Sequence, residues 1–295
     1  MWHVFTEFLP VLNVTVGYAI ICTLAAWGIF DDYDVEVDFE MFGEYPSVFA
    51  HRLPPFIKMP FNTLVNALYV VCGFFWLRKI RLEEETDSKE GPVLMPLEEA
   101  YYFRVYGWVC IYYSAFQLMT VLRPHYRVVY VLHLSRLVML SWLIVWSVHL
   151  LDWARSSVVL CIGGPLLSLM NFMLLLGDPN GYNRVLVTHL GIASTLVAYM
   201  QAVYGDVSHS LTSLGLVLLL SVAFWITLKT DLMLAQTWPM PCRVLTGYFW
   251  SRVCEVALVY LMAQFMFAIL VNKYVDQSLQ YKYEVPHQFA LYKEQ

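Results

Sequence analysis

Charge is scarce in this chain, and several long stretches have none. Asp, Glu, Lys and Arg make up 14% of the 295 residues, whereas about 25% is usual in soluble domains. Residues 8–30, 59–77, 158–177 and 211–228 contain no Asp, Glu, Lys or Arg. A bilayer core about 30 Å thick requires about 20 helical residues to span it. The composition therefore excludes a soluble fold and predicts membrane-spanning helices.

The short motifs of common catalytic and metal sites are also absent. The six cysteines include no CxxC pair, and the eight histidines include no HxxxH or HExxH pair. No GxSxG turn, glycine-rich phosphate loop or basic patch interleaved with aromatic residues occurs. We therefore predict no catalytic residue, no cofactor, no metal and no nucleic-acid partner. Membrane lipids are the predicted partners, and the sequence leaves protein partners open.

The pattern of apolar runs predicts an all-α integral membrane fold, an antiparallel bundle of about eight transmembrane helices. The predicted spans are 8–30, 59–77, 105–122, 128–149, 158–177, 185–204, 211–228 and 244–271. Short connections join several of them, so consecutive helices are expected to be antiparallel neighbours. We divide the chain into an N-terminal helix (1–30), an acidic loop (31–58), a seven-helix core (59–271) and a tail (272–295).

Basic residues near the span ends indicate an orientation. Arg78-Lys79-Ile80-Arg81 follows the second span, and clusters of this kind favour the cytoplasmic side. Residues 31–44 carry seven carboxylates and no base. With eight spans, both termini are predicted to be cytoplasmic, and the acidic loop faces the lumen or the exterior.

Three charged residues inside predicted spans are candidates for intramembrane ion pairs. Arg136 lies in the fourth span, and Arg252 and Glu255 lie three residues apart in the last span. Charges within a bilayer are costly and usually pair with one another. We expect Glu255 to pair with Arg136 or with Arg252, and we favour this structural role over catalysis.

Polar amides mark one face of the second span. Asn62 and Asn66 lie four residues apart, a spacing that places them on the same side of a helix. In membranes such amides usually form hydrogen bonds between helices. They could instead line a polar pocket, and the sequence leaves this alternative open.

Three segments resemble the transmembrane protein 187 family. They are Gly28-Ile29-Phe30-Asp31, MPFNTLVN at 59–66 and LTGYFWSRVC at 245–254. The resemblance runs from the first span to the last. It implies a multi-pass protein of an internal membrane, the Golgi or the endoplasmic reticulum, and carries no known molecular activity.

A fainter resemblance links the chain to the alkaline ceramidases, which are seven-helix intramembrane zinc amidases. Asn62-Thr63-Leu64-Val65-Asn66 is similar to their Asn-Thr-x-Ser-Asn pattern, and Leu245-Thr246-Gly247 is similar to the end of their His-x-x-x-His-x-Leu-Thr-Gly pattern. Pro239 and Arg243 stand where that pattern has its zinc-binding histidines. The resemblance therefore implies a related helical scaffold without the metal chemistry.

Our interpretation is a non-enzymatic membrane protein with a lipid-binding pocket inside the bundle. The predicted pocket residues share a polar side chain within or beside a span: Asn62, Asn66, Ser114, Gln117, His133 and Thr246. The alternative is a zinc-dependent lipid hydrolase with a rebuilt metal site, for instance His133, His189 and Glu255. A transporter ranks third, because Pro165 after Gly163-Gly164 is the only break signal in the middle of a span.

Overall fold

The computed structural model describes residues 2–29, 59–90, 97–122, 125–153, 166, 169, 170, 173, 181–230 and 245–292, with side chains over 8–84 and 98–274 of these ranges. Within this part, seven α-helices form and no strand does. They are α1 (Trp2–Ala26), α2 (Pro60–Glu90), α3 (Leu97–Leu122), α4 (Tyr126–Leu150), α5 (Gly181–Tyr204), α6 (Ser210–Lys229) and α7 (Gly247–Tyr292). Each is long and apolar enough to cross a membrane. The predicted all-α membrane fold is confirmed.

The fifth predicted span, 158–177, falls mostly on residues outside the described part, as does the acidic loop 31–58. Ring contacts between α4, with the residues that follow it, and α5 show how these two helices run relative to each other. The rings of His133 and Tyr182 stack with centroids 3.8 Å apart, and those of Trp153 and Tyr199 lie 5.4 Å apart. The two helices therefore run parallel.

Several helices extend beyond the apolar runs that predicted them. The second helix continues from the predicted end at 77 to Glu90, and the third begins at Leu97 instead of 105. The added residues are mainly Arg, Lys and Glu, which favour helix but are costly to bury in lipid. The last helix likewise continues to Tyr292, through most of the predicted tail. The hydropathy of a segment therefore indicates where the chain crosses the membrane, but it does not indicate where the helix ends.

An aromatic core joins α2, α3, α4 and α7 away from lipid. Trp76, Phe103 and Trp146 are almost fully buried. The ring centroids of Trp76 and Phe103 are 5.8 Å apart, and those of Phe103 and Trp146 are 4.3 Å apart in an edge-on contact. Such pairs contribute about 0.5–1.5 kcal/mol each beyond the area that they bury. In contrast, α6 lies at the periphery and packs mainly against α7.

Two glycines allow α2 and α3 to approach closely. A Cβ atom on Gly73 would lie 2.6 Å from the backbone oxygen of Gly107 and 2.7 Å from Cγ1 of Ile111. A Cβ atom on Gly107 would lie 3.1 Å from the backbone oxygen of Gly73. Small residues at helix contacts are a common way to pack helices in membranes, because lipid supplies little hydrophobic force between them.

Substitution of Gly73 with alanine is expected to lower stability by about 1–3 kcal/mol, because the added methyl group overlaps the backbone of α3. The measurement is the thermal unfolding midpoint in detergent, with Gly191→Ala as the matched control. Position 191 is also a helical glycine, and a Cβ there meets nothing within 4 Å. If both variants unfold at the same temperature, the close approach of α2 and α3 is wrong.

The turn between α5 and α6 is organised by Asp206. Its carboxylate accepts hydrogen bonds from the Ser208 hydroxyl at 2.6 Å and from the backbone N–H groups of His209 and Ser210 at 2.9 and 2.8 Å. These donors hold the pKa of Asp206 well below its usual range. Asn272 of α7 also donates to Asp206 Oδ1, at 3.3 Å. The turn therefore satisfies the first N–H groups of α6 and connects them to α7.

This arrangement predicts a pH dependence. A carboxylate whose pKa is lowered in the folded state stabilises the fold fully above its unfolded pKa, about 3.9, and loses that effect as the pH falls towards the folded value. We expect Asp206→Asn to lower stability by about 1 kcal/mol at pH 7, as for a lost helix cap, and by less at pH 3, where part of the stabilisation is already lost. Unfolding midpoints of the two proteins at both pH values test this, and an equal difference at both would contradict it.

Candidate polar site within the bundle

Five polar side chains from three helices meet inside the bundle. We call Tyr113, Gln117, Arg136, Arg252 and Glu255 the charge cluster. The Tyr113 hydroxyl donates to Glu255 Oε1 at 2.5 Å and accepts from Gln117 Nε2 at 2.5 Å and from Arg136 Nε at 2.9 Å. The second carboxylate oxygen of Glu255 accepts from Arg252 Nη1. Tyr113 and Glu255 are thus the two centres of one network.

Helix periodicity explains how the sequence builds this network. Tyr113 and Gln117 are four residues apart on α3, and Arg252 and Glu255 are three apart on α7, so each pair shares a helix face. Arg136 reaches them from α4, with its Nε 3.7 Å from Glu255 Oε1. Both ion pairs considered from the sequence, Arg136 with Glu255 and Arg252 with Glu255, are therefore present at once.

The cluster is shielded from the surroundings to different degrees. The side chain of Arg252 is 6% exposed, that of Glu255 17% and that of Arg136 24%. The Arg252 guanidinium also lies over the ring of Tyr248, 4.6 Å from its centroid. Such cation–π contact stabilises a desolvated arginine by up to about 2 kcal/mol. Arg252 is thus the deeply buried charge and Arg136 the more accessible one.

The six residues predicted to line a pocket lie in several places. Gln117 belongs to the charge cluster, and Ser114 donates to the backbone oxygen of Asn66 at 2.5 Å, which joins α3 to α2. The Thr246 hydroxyl accepts from the backbone N–H of Phe249 at 3.3 Å and so caps α7. Asn62 is fully buried near the start of α2. His133 is half-buried and stacks on Tyr182, one turn from Arg136.

Some buried polar atoms near the cluster have no hydrogen-bond partner among the described residues. They are Asn66 Oδ1, Gln117 Oε1 and Arg252 Nε. Buried polar groups in proteins are nearly always paired, and an unpaired one costs about 1–3 kcal/mol. This end of the bundle therefore has hydrogen-bonding capacity that its own side chains do not use.

The hydrolase alternative finds no metal site in the described part of the chain. There, no three His, Cys, Asp or Glu side chains are grouped so that they could hold a metal ion. His189 instead contacts the backbone oxygen of Val185 through Nδ1, at 2.8 Å. The trio His133, His189 and Glu255 is thus not assembled. Residues 239–243, which correspond to the ceramidase histidine segment, lie outside the described residues.

A separate apolar cavity lies between α1, α3 and α4, and the sequence did not predict it. Its volume is about 430 Å³, and none of the six predicted pocket residues lines it. Its walls include Gly17 and Ile20 of α1, Val105 and Val109 of α3, Leu137 and Trp142 of α4, and also Leu166 and Leu169. No signal in the sequence could have found it, because an apolar side chain beside a cavity has the same pattern as one in a packed core.

The fold and the site define a class: a polytopic helical membrane protein with a buried charge network. The profile of the TMEM187 protein family matches residues 10–267, and the chain belongs to that family. It is 31% identical to transmembrane protein 187 of Bos taurus over 82% of this chain and 87% of the bovine protein. Identity to the Homo sapiens protein of that name is 30%, over 85% and 86% of the two chains. No solved structure matches the chain.

The central position of Tyr113 predicts the effect of removing its hydroxyl. Tyr113→Phe leaves groups of Gln117, Arg136 and Glu255 without their shared partner, so we expect a loss of about 1–3 kcal/mol. The neighbouring Tyr112 is the matched control, because its hydroxyl forms an exposed hydrogen bond with Thr15 Oγ1 of α1, at 2.8 Å, and is not part of the charge cluster. Unfolding midpoints of both variants in detergent should rank Tyr113→Phe as clearly less stable. The opposite order would contradict the network.

Proposed function

We propose that this protein is a non-catalytic multi-pass membrane protein that holds a lipid acyl chain in the cavity between α1, α3 and α4. The observation that carries the proposal is the cavity itself. Its volume of about 430 Å³ falls within the range of about 300–1,000 Å³ usual for ligand pockets. Valine, leucine and isoleucine make up most of its wall, so its chemistry suits a hydrocarbon chain.

Access to the cavity supports a ligand taken from the bilayer. Val16 and Ile20 of α1 line the cavity and are also about half exposed, at 48% and 51%. Leu166 on another wall is 52% exposed. The wall thus reaches the outer, lipid-facing surface of the bundle, and an acyl chain can enter sideways without crossing water.

The cavity lining also includes polar side chains. Asn13 contributes to the lining, and its amide donates to the Tyr101 hydroxyl at 2.8 Å. In this proposal the first helix, added to a seven-helix core, forms one wall of the lipid site.

We also propose an orientation of the bundle in the membrane. The carboxyl end of α2 and the Arg78–Arg81 cluster face the cytoplasm, and the charge cluster lies towards the lumen.

We also propose an internal membrane, the Golgi or the endoplasmic reticulum, as the location. The resemblance of segments 59–66 and 245–254 to the family supports it. Fluorescence microscopy of the tagged full-length chain with markers for both organelles tests the location. A signal confined to the plasma membrane would contradict it.

Filling the cavity tests the lipid proposal. Gly17 lines it, and a Cβ there meets nothing within 4 Å, so Gly17→Leu adds a side chain without strain in the helix. Displacing about two methylene groups of a bound chain, at about 0.8 kcal/mol each, weakens retention about tenfold. The measurement is native mass spectrometry of lipid retained per chain after detergent washing.

The matched control is Gly191→Leu, which adds the same side chain at an open, exposed position of α5 outside the cavity. We expect this variant to retain lipid as the unmodified chain does. Equal retention by all three proteins would overturn the acyl-chain proposal.

A further inference from the structure

The charge cluster carries one more positive charge than its own residues balance. Arg136 and Arg252 both contact Glu255, and neither has an ion pair with any other carboxylate in the described part of the chain. The other members, Tyr113 and Gln117, are neutral. A net charge inside a membrane bundle is costly, and such residues usually mark a binding or transport pathway. One monovalent anion would neutralise the cluster.

The buried atoms of the cluster that lack hydrogen-bond partners indicate which kind of anion would fit. The buried Nε of Arg252 is a donor without a partner in the described part, and the buried Oε1 of Gln117 is an acceptor without one. Arg252 is more than nine-tenths buried, so water does not readily replace a missing partner. An ionised carboxylate can only accept hydrogen bonds. A phosphate monoester with one protonated oxygen both accepts and donates, and it carries a single negative charge.

The residue types and their accessibility fit a phosphate group. Arginine presents a planar fork of N–H donors that matches phosphate oxygens. Arg136 is 24% exposed, so the cluster is accessible from that side while Arg252 lies deep. A ligand arriving past Arg136 would meet Gln117, which shares the Tyr113 hydroxyl with that arginine.

We propose that the charge cluster binds one singly charged phosphate group that keeps a hydroxyl, either the monoester headgroup of a phosphatidic-acid-type lipid or free inorganic phosphate. Arg136 and the Nε of Arg252 supply donors to its oxygens, and Gln117 Oε1 accepts from its hydroxyl. Glu255 and Tyr113 hold the two arginines in position. The proposal stands independently of the acyl-chain cavity, because no residue of the charge cluster lines that cavity.

The experiment uses the full chain in phosphatidylcholine nanodiscs and measures its thermal unfolding midpoint by tryptophan fluorescence. Three probes are compared: phosphatidic acid in the nanodisc, phosphatidylglycerol in the nanodisc, and inorganic phosphate in the buffer at constant ionic strength. Phosphatidylglycerol has the same charge but is a diester without a phosphate hydroxyl. If the unfolding midpoint rises with phosphatidic acid alone, the ligand is a lipid headgroup. If it rises with inorganic phosphate, the ligand is a soluble phosphate.

Two variants separate binding from folding. Arg136→Gln removes the excess charge. It should raise the half-saturating concentration of the effective probe at least about tenfold, because one charge-assisted hydrogen bond to the probe is lost. Gln117→Glu supplies a carboxylate within the cluster. It should raise the unfolding midpoint without any probe and abolish the shift that the probe causes. Arg127→Gln, which removes a charge from the first turn of the same helix, is the matched control and should keep the shift.

Several results would overturn the proposal. The unfolding midpoint would not rise with phosphatidic acid or with phosphate, or it would rise equally with phosphatidylglycerol. An unchanged half-saturating concentration in Arg136→Gln would also overturn it. A Gln117→Glu chain that is no more stable than the original would also contradict the charge argument. Gly17→Leu should leave the phosphate response intact, so failure of this proposal is distinguishable from failure of the acyl-chain proposal.

Discussion

The contact of Glu255 with two arginines is the interaction on which most of this bundle depends. Arg136 and Arg252 could not stay within an apolar bundle unless a carboxylate met them, because an unpaired buried charge costs about 3–5 kcal/mol. Pairing fixes the rotation of α4 and α7 about their axes, since both arginines must point at one side chain. Tyr113 then sets the rotation of α3, because its hydroxyl contacts both Arg136 and Glu255.

Paired charges also determine the other end of the bundle. Arg104 of α3 meets Glu84 of α2 at 2.5 Å. Lys273 of α7 donates to the backbone oxygen of Leu150 at 2.7 Å and to Asp152 at 2.8 Å, just beyond the end of α4. The aromatic core lies between these contacts and the charge cluster. Polar contacts at two levels therefore align the helices, and apolar packing fills the space between them.

Much of this architecture follows from the sequence, and the rest depends on distances between helices. Charge-free runs predicted where helices cross lipid, and the three-residue spacing of Arg252 and Glu255 placed both on one face. The ends of α2 and α3 were missed because arginine and glutamate favour helix while they oppose burial. The role of Tyr113 was also missed, since nothing distinguishes its hydroxyl from those of the other nineteen tyrosines. The cavity depends on the distance of α1 from α3 and α4, and this distance cannot be predicted from the sequence of any one helix.

The measurement that tests this account most directly is a double-mutant cycle between Arg252 and Glu255 in nanodiscs, with each residue changed to glutamine. We predict that Glu255→Gln alone is strongly destabilising and that the double variant recovers part of the loss. The coupling free energy should reach about 0.5–3 kcal/mol, as for residues in direct contact. Additive effects of the two substitutions would show that the charges do not hold the helices together, and would contradict the account.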